Sequence, residues 1–111
     1  MKHSIKVNGI HATVFLMDKI YVHDASLLRD DLIEIIDRGV TDIRIDLSGL
    51  TYIDSSGLGT LVTINKRSKE KNGRLVLTGA QGLPLDLIKR TRLDSTRFSP
   101  LNPKFFIIYE I

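Results

Sequence analysis

A passage from strand to helix near the middle of the chain constrains its fold more than any other segment. From Ile43 to Leu47, apolar residues alternate with charged ones, which is the period of a half-buried strand. A polar connection leads to Asp54, and two serines and Gly57 follow before a helical apolar pattern begins. Carboxylate and hydroxyl side chains favour helix starts because they accept hydrogen bonds from the free amides of the first turn. The segment therefore predicts a strand, a turn and a helix, with one serine hydroxyl free at the surface.

The flanking segments predict a hairpin followed by alternating strands and helices. Asn8-Gly9 favours a tight turn, so the apolar runs around it predict two antiparallel strands. An apolar stripe predicts a helix over 24–38, begun by Asp24 or His23 and ended by Gly39. The serines are followed by a predicted helix whose inner face is Leu58, Leu61, Val62 and Asn65. A strand is predicted at Leu75 to Leu77, and a third helix at Leu83 to Lys89, with Pro84 in its first turn and the inner face Leu85, Leu87 and Ile88. The last predicted element is a strand at Phe105 to Ile111.

This order of elements predicts an α/β fold. We expect a single domain over residues 1–111, with a mixed four- to five-stranded sheet and helices packed mainly on one face. A hydrophobic fraction of 42% and a charged fraction of 26% are typical of soluble globular proteins. The chain has no cysteine, which excludes disulfides and thiolate metal sites. No apolar run approaches the roughly 20 residues of a membrane span, so we expect a cytoplasmic protein without membrane contact.

The segment from Asp46 to Val62 resembles the signature of the STAS domain, the fold shared by anti-sigma factor antagonists and the cytoplasmic tails of sulphate transporters. The resemblance is strongest over residues 43–50 and 53–59, extends to Gly73 to Leu77 and to a segment containing Leu93, and covers about half of the chain. It implies a bacterial partner-switching regulator that is not an enzyme and carries no cofactor.

The resemblance also implies a phosphorylation site and a docking surface. In such proteins the serine directly after the aspartate, here Ser55, is phosphorylated by a cognate serine kinase that is also the anti-sigma factor. A PP2C-type phosphatase restores the hydroxyl, and only the unphosphorylated protein binds the kinase. Ser56 is the better candidate for the helix cap, whereas Asp54 is either a second cap or part of the recognition surface. The expected partner-binding residues are Asp54, Ser55, Ser56, Gly57, Leu58, Tyr21 and Asp24.

Two segments depart from the family's pattern. Tyr21 stands where an aspartate of the family aligns, so this loop lacks the carboxylate expected for the family's usual partner contact. The family usually closes with an amphipathic helix, but residues 103–111 read as a strand that could join the sheet edge or pair with another molecule.

Two other functions remain open from the sequence. The first is a non-switching scaffold that assembles through the edge formed by Phe105–Ile111, with weak homo-oligomers and Ser55 as a cap. The second is a module that binds a small ligand or nucleotide through basic residues. No direct binding of nucleic acid is expected, because aromatic residues do not interleave with the basic cluster. That cluster contains Lys66, Arg67, Lys69, Lys71, Arg74, Lys89, Arg90, Arg92 and Arg97.

Catalytic and metal sites have little support in the sequence. His3, His11 and His23 all lie in the first quarter of the chain, without the spacing of metal ligands. The serines lack the Gly-x-Ser-x-Gly elbow of hydrolases. The glycines after them lack the third glycine and the lysine of phosphate-binding loops. We therefore expect no catalytic residue and no metal site.

Overall fold

The computed structural model describes residues 2–90, 97–99 and 108–110. In chain order these residues form β1 (Lys2–Asn8), β2 (His11–Ile20), α1 (Val22–Asp37), β3 (Asp42–Ile53), α2 (Ser55–Glu70), β4 (Arg74–Thr78), α3 (Gly82–Arg90), β5 (Arg97–Ser99) and β6 (Ile108–Glu110). The strands form one mixed sheet in the order β1-β2-β3-β4-β6-β5. The central pairs β2–β3 and β3–β4 are parallel, whereas the β1–β2, β4–β6 and β5–β6 pairs are antiparallel.

The α/β fold class is confirmed, and its helices lie on one face of the sheet as expected. Alternate residues of the central strands pack with the apolar stripes of the helices into one core. The alternation is clearest in β3, where Ile43, Ile45 and Leu47 are fully buried and Arg44 is exposed. Four longer strands carry this core. The three-residue strands β5 and β6 bring the sheet of the described residues to six strands, beyond the four or five expected.

The first hairpin is confirmed, but its turn lies one residue later than expected. Asn8 pairs with His11, so Gly9 and Ile10 are the two central residues of the turn. Gly9 has a φ of 62°, which glycine adopts without steric cost. A glycine at the first central position is typical of a tight hairpin turn whose twist matches that of the strands.

Helix α1 begins earlier than Asp24 or His23. Tyr21 is its N-cap, and the Tyr21 backbone N–H donates to Asp24 Oδ2 at 2.9 Å. Asp24 is therefore the third helical residue, whose carboxylate reaches back to the cap as in a capping box. The helix ends at Asp37, and Gly39 follows with a φ of 114°, which confirms glycine as the residue that ends it.

The expected inner face of α2 is confirmed except at Val62. Leu58, Leu61 and Asn65 are buried, whereas the Val62 side chain is 39% exposed and Ile64 is fully buried instead. Helix α3 has its expected face, with Ile88 in the core and Leu85 and Leu87 packed against it. Pro84 lies in the first turn, as predicted.

The predicted last strand is present over part of its length. β6 pairs antiparallel with β4 through Val76 and Leu77, while residues 105–107 and 111 lie outside the described residues. Because β5 pairs with the other side of β6, this strand is not an open edge of the sheet described here. The non-switching scaffold alternative requires an open edge at Phe105–Ile111, and the position of β6 between β4 and β5 does not provide one.

Candidate functional site

The parallel pairing of β2 and β3 brings two loops together at one end of the sheet. Ile20 pairs with Ile53, so both strands end at the same level. Tyr21 follows the first strand and begins α1, and Asp54 follows the second and begins α2. The two predicted halves of the docking surface, which are far apart in the sequence, therefore lie at the same end of the sheet. The carboxyl ends of parallel strands are where α/β folds commonly place their sites.

Asp54, not Ser56, caps helix α2. Its backbone is extended, with φ −98° and ψ −178°, and its Oδ1 accepts a hydrogen bond from Gly57 N–H at 2.9 Å. The Leu58 N–H donates to the Asp54 carbonyl oxygen at 3.0 Å and closes the first helical turn. A cap residue lies just before the helix, whereas Ser56 is already the second helical residue. The expectation of a Ser56 cap was therefore wrong.

The cap leaves both serines at the surface. Ser55 and Ser56 are exposed in the first turn of α2. Within the described part of the chain, neither hydroxyl takes part in a recorded hydrogen bond. Ser55 is the residue next to the cap, where the backbone N–H groups of the first turn favour negative charge. The Ser55 hydroxyl is therefore accessible and makes no hydrogen bond that stabilises the described part of the fold.

Gly57 and Leu58 face the core rather than the surface. Leu58 is 4% exposed, and a Cβ added to Gly57 would lie 2.7 Å from Ile53 Cγ1 and 3.0 Å from Ile20 Cγ2. The first turn of α2 therefore packs directly on the ends of β2 and β3. These two residues fix the position of the serines but present little side-chain surface to a partner.

Two tyrosines form the exposed apolar part of the site. The rings of Tyr21 and Tyr52 lie 5.8 Å apart between centroids and are tilted by 40°. Their side chains are 51% and 36% exposed, respectively. Aromatic pairs at this distance attract each other, and exposed tyrosines are frequent anchors in protein interfaces. The surface thus has an aromatic pair in the loop region where the family's pattern has an acid.

Asp24 has a structural role in this surface. Its carboxylate accepts the Tyr21 N–H bond, and this hydrogen bond is the main cause that lowers the pKa of Asp24 below its ordinary value, with His23 as a further favourable charge. The side chain is half-buried. Asp24 holds the loop that carries Tyr21.

The sequence reasoning missed a neighbouring groove of about 180 Å³. Tyr52 and Ile53 line one side, and Leu83, Asp86 and Leu87 of α3 line the other. Leu83, the second residue of the otherwise amphipathic helix α3, is 63% exposed. The only signal in the sequence is this extra leucine outside the apolar stripe of α3.

His3 and His11 lie in other surroundings. His3 Nε2 lies 3.2 Å from Asp31 Oδ2, and His11 Nδ1 lies 2.8 Å from Asp42 Oδ2 at the opposite end of β2. No group of three or more metal-ligating side chains occurs among the residues that the structure describes. Likewise, no helix of the described chain is long and apolar enough to cross a membrane.

Arg67, a member of the basic cluster, connects two helices. Its Nη2 lies 2.8 Å from Asp37 Oδ1 of α1, and its Nη1 lies 3.3 Å from Glu70 Oε2. The hydrogen bond and the charge of Asp37 raise the pKa of Arg67. Lys66, Lys69 and Lys71 are exposed near the end of α2, far along the helix from Ser55. This part of the cluster is a solvated helix end.

Comparison with known proteins identifies the family. The family model of the STAS domain matches residues 3–104. This chain belongs to the STAS domain family. The anti-sigma-B factor antagonist of Bacillus subtilis (strain 168) is 36% identical to this STAS domain over 73 residues, which make up 66% of each protein. The alignment thus spans just under two thirds of that relative's length.

Solved structures agree with the family's fold. Bacillus SpoIIAA, an anti-sigma factor antagonist, is similar in its unphosphorylated form with a TM-score of 0.71 at 19% identity, over 82% of this chain and 81% of SpoIIAA. Its phosphorylated form gives 0.72 at the same identity, over 84% and 86%. Protein TM1081 of Thermotoga maritima gives 0.75 at 22% identity, over 82% and 79%. At these identities the likeness establishes the fold alone.

Proposed function

We propose that this STAS domain is a partner-switching regulator of the anti-sigma factor antagonist type, controlled by phosphorylation of Ser55. Unphosphorylated, it binds a cognate serine kinase that is also an anti-sigma factor. The kinase supplies the nucleotide and the metal, and a PP2C-type phosphatase restores the hydroxyl. The domain itself carries out no reaction. The observation that carries this proposal is the exposed Ser55 hydroxyl, which makes no hydrogen bond to the described residues, while the Asp54 carboxylate caps the helix in its place.

The electrostatics of the first turn support a switch at the surface rather than in the fold. A phosphate on Ser55 adds a charge of about −1.5 to −2. The amino terminus of a helix favours anions, so the modified domain keeps its structure. A partner that covers Ser55 has to desolvate this phosphate next to the Asp54 carboxylate, which costs several kcal/mol if the oxygens stay unpaired. Since about 1.4 kcal/mol is tenfold in affinity, binding falls by orders of magnitude.

The relatives support the same assignment. The curated relative is named an anti-sigma-B factor antagonist, and SpoIIAA has been solved in both phosphorylation states. The aromatic pair of Tyr21 and Tyr52 adds an apolar anchor beside the serine turn, which suits a protein partner.

The test is phosphorylation by a serine kinase of the anti-sigma factor class from the same organism. The domain is incubated with kinase and ATP, and mass spectrometry locates the phosphate. We expect it on Ser55, lost in Ser55→Ala and kept in the matched control Ser56→Ala. We also expect Ser55→Asp to bind the kinase at least tenfold more weakly than wild type. Phosphate on another residue, or full affinity of Ser55→Asp, rejects the proposal.

A further inference from the structure

The groove between the end of β3 and helix α3 combines apolar walls with one carboxylate. Tyr52, Ile53, Leu83 and Leu87 supply the walls, and Asp86 is the acidic lining residue. Its volume of about 180 Å³ is below the roughly 300–1,000 Å³ of drug-sized ligand pockets. It therefore fits one inserted side chain better than a cofactor or a nucleotide.

The negative charge of Asp86 determines which kind of side chain the groove would bind. Asp86 is exposed, and its carboxylate has no ion pair or hydrogen bond recorded within residues 2–90, 97–99 and 108–110. An apolar occupant would cover this carboxylate and remove its water without a replacement, which costs free energy. A cationic side chain with an apolar stem instead satisfies both the walls and the carboxylate.

Arginine fits this combination better than lysine. Its guanidinium stacks on aromatic faces such as that of Tyr52, and it is more weakly hydrated than the lysine ammonium. It can also donate two parallel hydrogen bonds to a carboxylate, as Asp86 offers. The apolar stem then packs along Leu83, which is 63% exposed in the free domain.

We propose that this groove binds one arginine side chain of the partner protein, as a specificity contact beside Ser55. Tyr52 and Ile53 directly precede Asp54 and Ser55, so the groove is continuous with the surface proposed to dock the kinase. The assignment of the partner rests on the proposed function. The chemistry of the groove does not, because it depends only on the residues that line it.

A first experiment tests the groove without any protein partner. Amide NMR spectra of the domain are recorded during a titration with N-acetyl-arginine amide in the millimolar range. We expect saturable shifts of the backbone amides of residues 52, 53, 83 and 85–87, and we expect these shifts to be lost in Asp86→Asn. N-acetyl-citrulline amide has nearly the same shape but no charge, and we expect it to shift these residues much less. Equal shifts with both compounds, shifts that persist in Asp86→Asn, or none in the groove reject the arginine site.

A second experiment measures affinity for the kinase with exposed variants that leave the core intact. We expect Asp86→Asn and Leu83→Ala to weaken binding about tenfold or more, because a charge-assisted bond or its apolar wall is lost. Leu27→Ala is the matched control, since Leu27 is 60% exposed on α1 and does not line the groove. Unchanged affinity of Asp86→Asn rejects the contact.

The two experiments also separate this proposal from the function on which it rests. If the kinase phosphorylates Ser55 but Asp86→Asn and Leu83→Ala bind it normally, the groove proposal fails and the switch stands. If no kinase modifies Ser55 while the arginine compound still binds at Asp86, the switch fails and the arginine site stands.

Discussion

The Asp54 carboxylate accepts a hydrogen bond from the Gly57 backbone N–H at 2.9 Å, so neither neighbouring serine is needed as the N-cap of helix α2. Adjacent residues therefore have different roles. Asp54 stabilises the start of the helix, whereas the Ser55 hydroxyl can be modified without the loss of this capping hydrogen bond. A regulatory site on a helix start needs this separation, because a modified cap would alter the helix itself.

The capping role of Asp54 predicts a measurable loss of stability on truncation. Asp54→Ala should lower the free energy of unfolding by about 0.5–2 kcal/mol, because the Gly57 N–H loses its acceptor. Asp54→Ser should retain most of the stability, since serine also caps well. Urea denaturation followed by circular dichroism measures both. Equal losses for alanine and serine would show that the carboxylate acts by its charge and not as a cap.

Ser55 should tolerate substitution in the isolated domain. Its side chain is exposed and without a recorded hydrogen bond in the described residues, so Ser55→Ala should change stability by less than about 0.5 kcal/mol. Ser55→Asp should be similarly mild, because the favourable helix dipole offsets repulsion from Asp54. Thermal unfolding of wild type and both variants provides the measurement. A loss of more than about 2 kcal/mol for either variant would mean that Ser55 is part of the structure.

The sequence predicted the fold well where hydrophobic periodicity decides the structure. The alternation of Ile43, Ile45 and Leu47 and the stripe of Leu58 and Leu61 appear in the core as expected. The register of β2 and β3 also places Tyr21 at the same end of the sheet as the serine turn. These features follow from burial, which requires apolar residues at regular spacings in the sequence.

The details of the site depend on local geometry that no regular spacing of apolar residues reveals. Ser, Thr, Asp and Asn all cap helices, so composition alone did not distinguish Asp54 from Ser56 as the cap. Leu50 is buried although alternation from Ile43, Ile45 and Leu47 predicts an outward side chain there, because two register shifts interrupt the pairing of β2 and β3 near Asp18, whose φ is 65°. Simple alternation does not carry through such irregularities. The groove requires α3 to pack beside the end of β3, a tertiary contact that periodicity does not encode.

Asp24 predicts an acid-sensitive part of the domain's stability. Its pKa is lowered in the folded state, mainly by the hydrogen bond from Tyr21 N–H. The ionised form therefore contributes stability that is fully present above the unfolded pKa of about 3.9 and is lost as pH falls through the lower folded value. Urea denaturation of wild type and Asp24→Asn at neutral pH and near pH 3 measures this contribution.

The comparison with asparagine isolates the titration from the hydrogen bond. Asparagine keeps an acceptor for the Tyr21 N–H but does not ionise. We expect the stability advantage of wild type over Asp24→Asn to shrink on acidification. An advantage that stays constant with pH would show that the Asp24 carboxyl has the same pKa in the folded and unfolded chains.

The two glycines of the first turns of α2 should respond in opposite directions to alanine. In Gly57→Ala, the new Cβ meets the Ile53 Cγ1 methylene at 2.7 Å, and the buried, β-branched Ile53 side chain cannot move aside cheaply. We expect a loss of about 1–3 kcal/mol from overpacking. Gly59 has nothing within 4 Å of a new Cβ and is exposed, so Gly59→Ala should stabilise the helix by about 0.5–1 kcal/mol.

The pair tests how tightly the serine turn is seated on the sheet. Because both substitutions add one methyl group to the same helix, their difference reports the contact of Gly57 with Ile53 and Ile20 rather than helix propensity. Denaturation curves of the two variants give this difference directly. If Gly57→Ala is as stable as Gly59→Ala, the turn can lift from the strands, and Ser55 is then not held in the fixed position that a kinase active site would have to match.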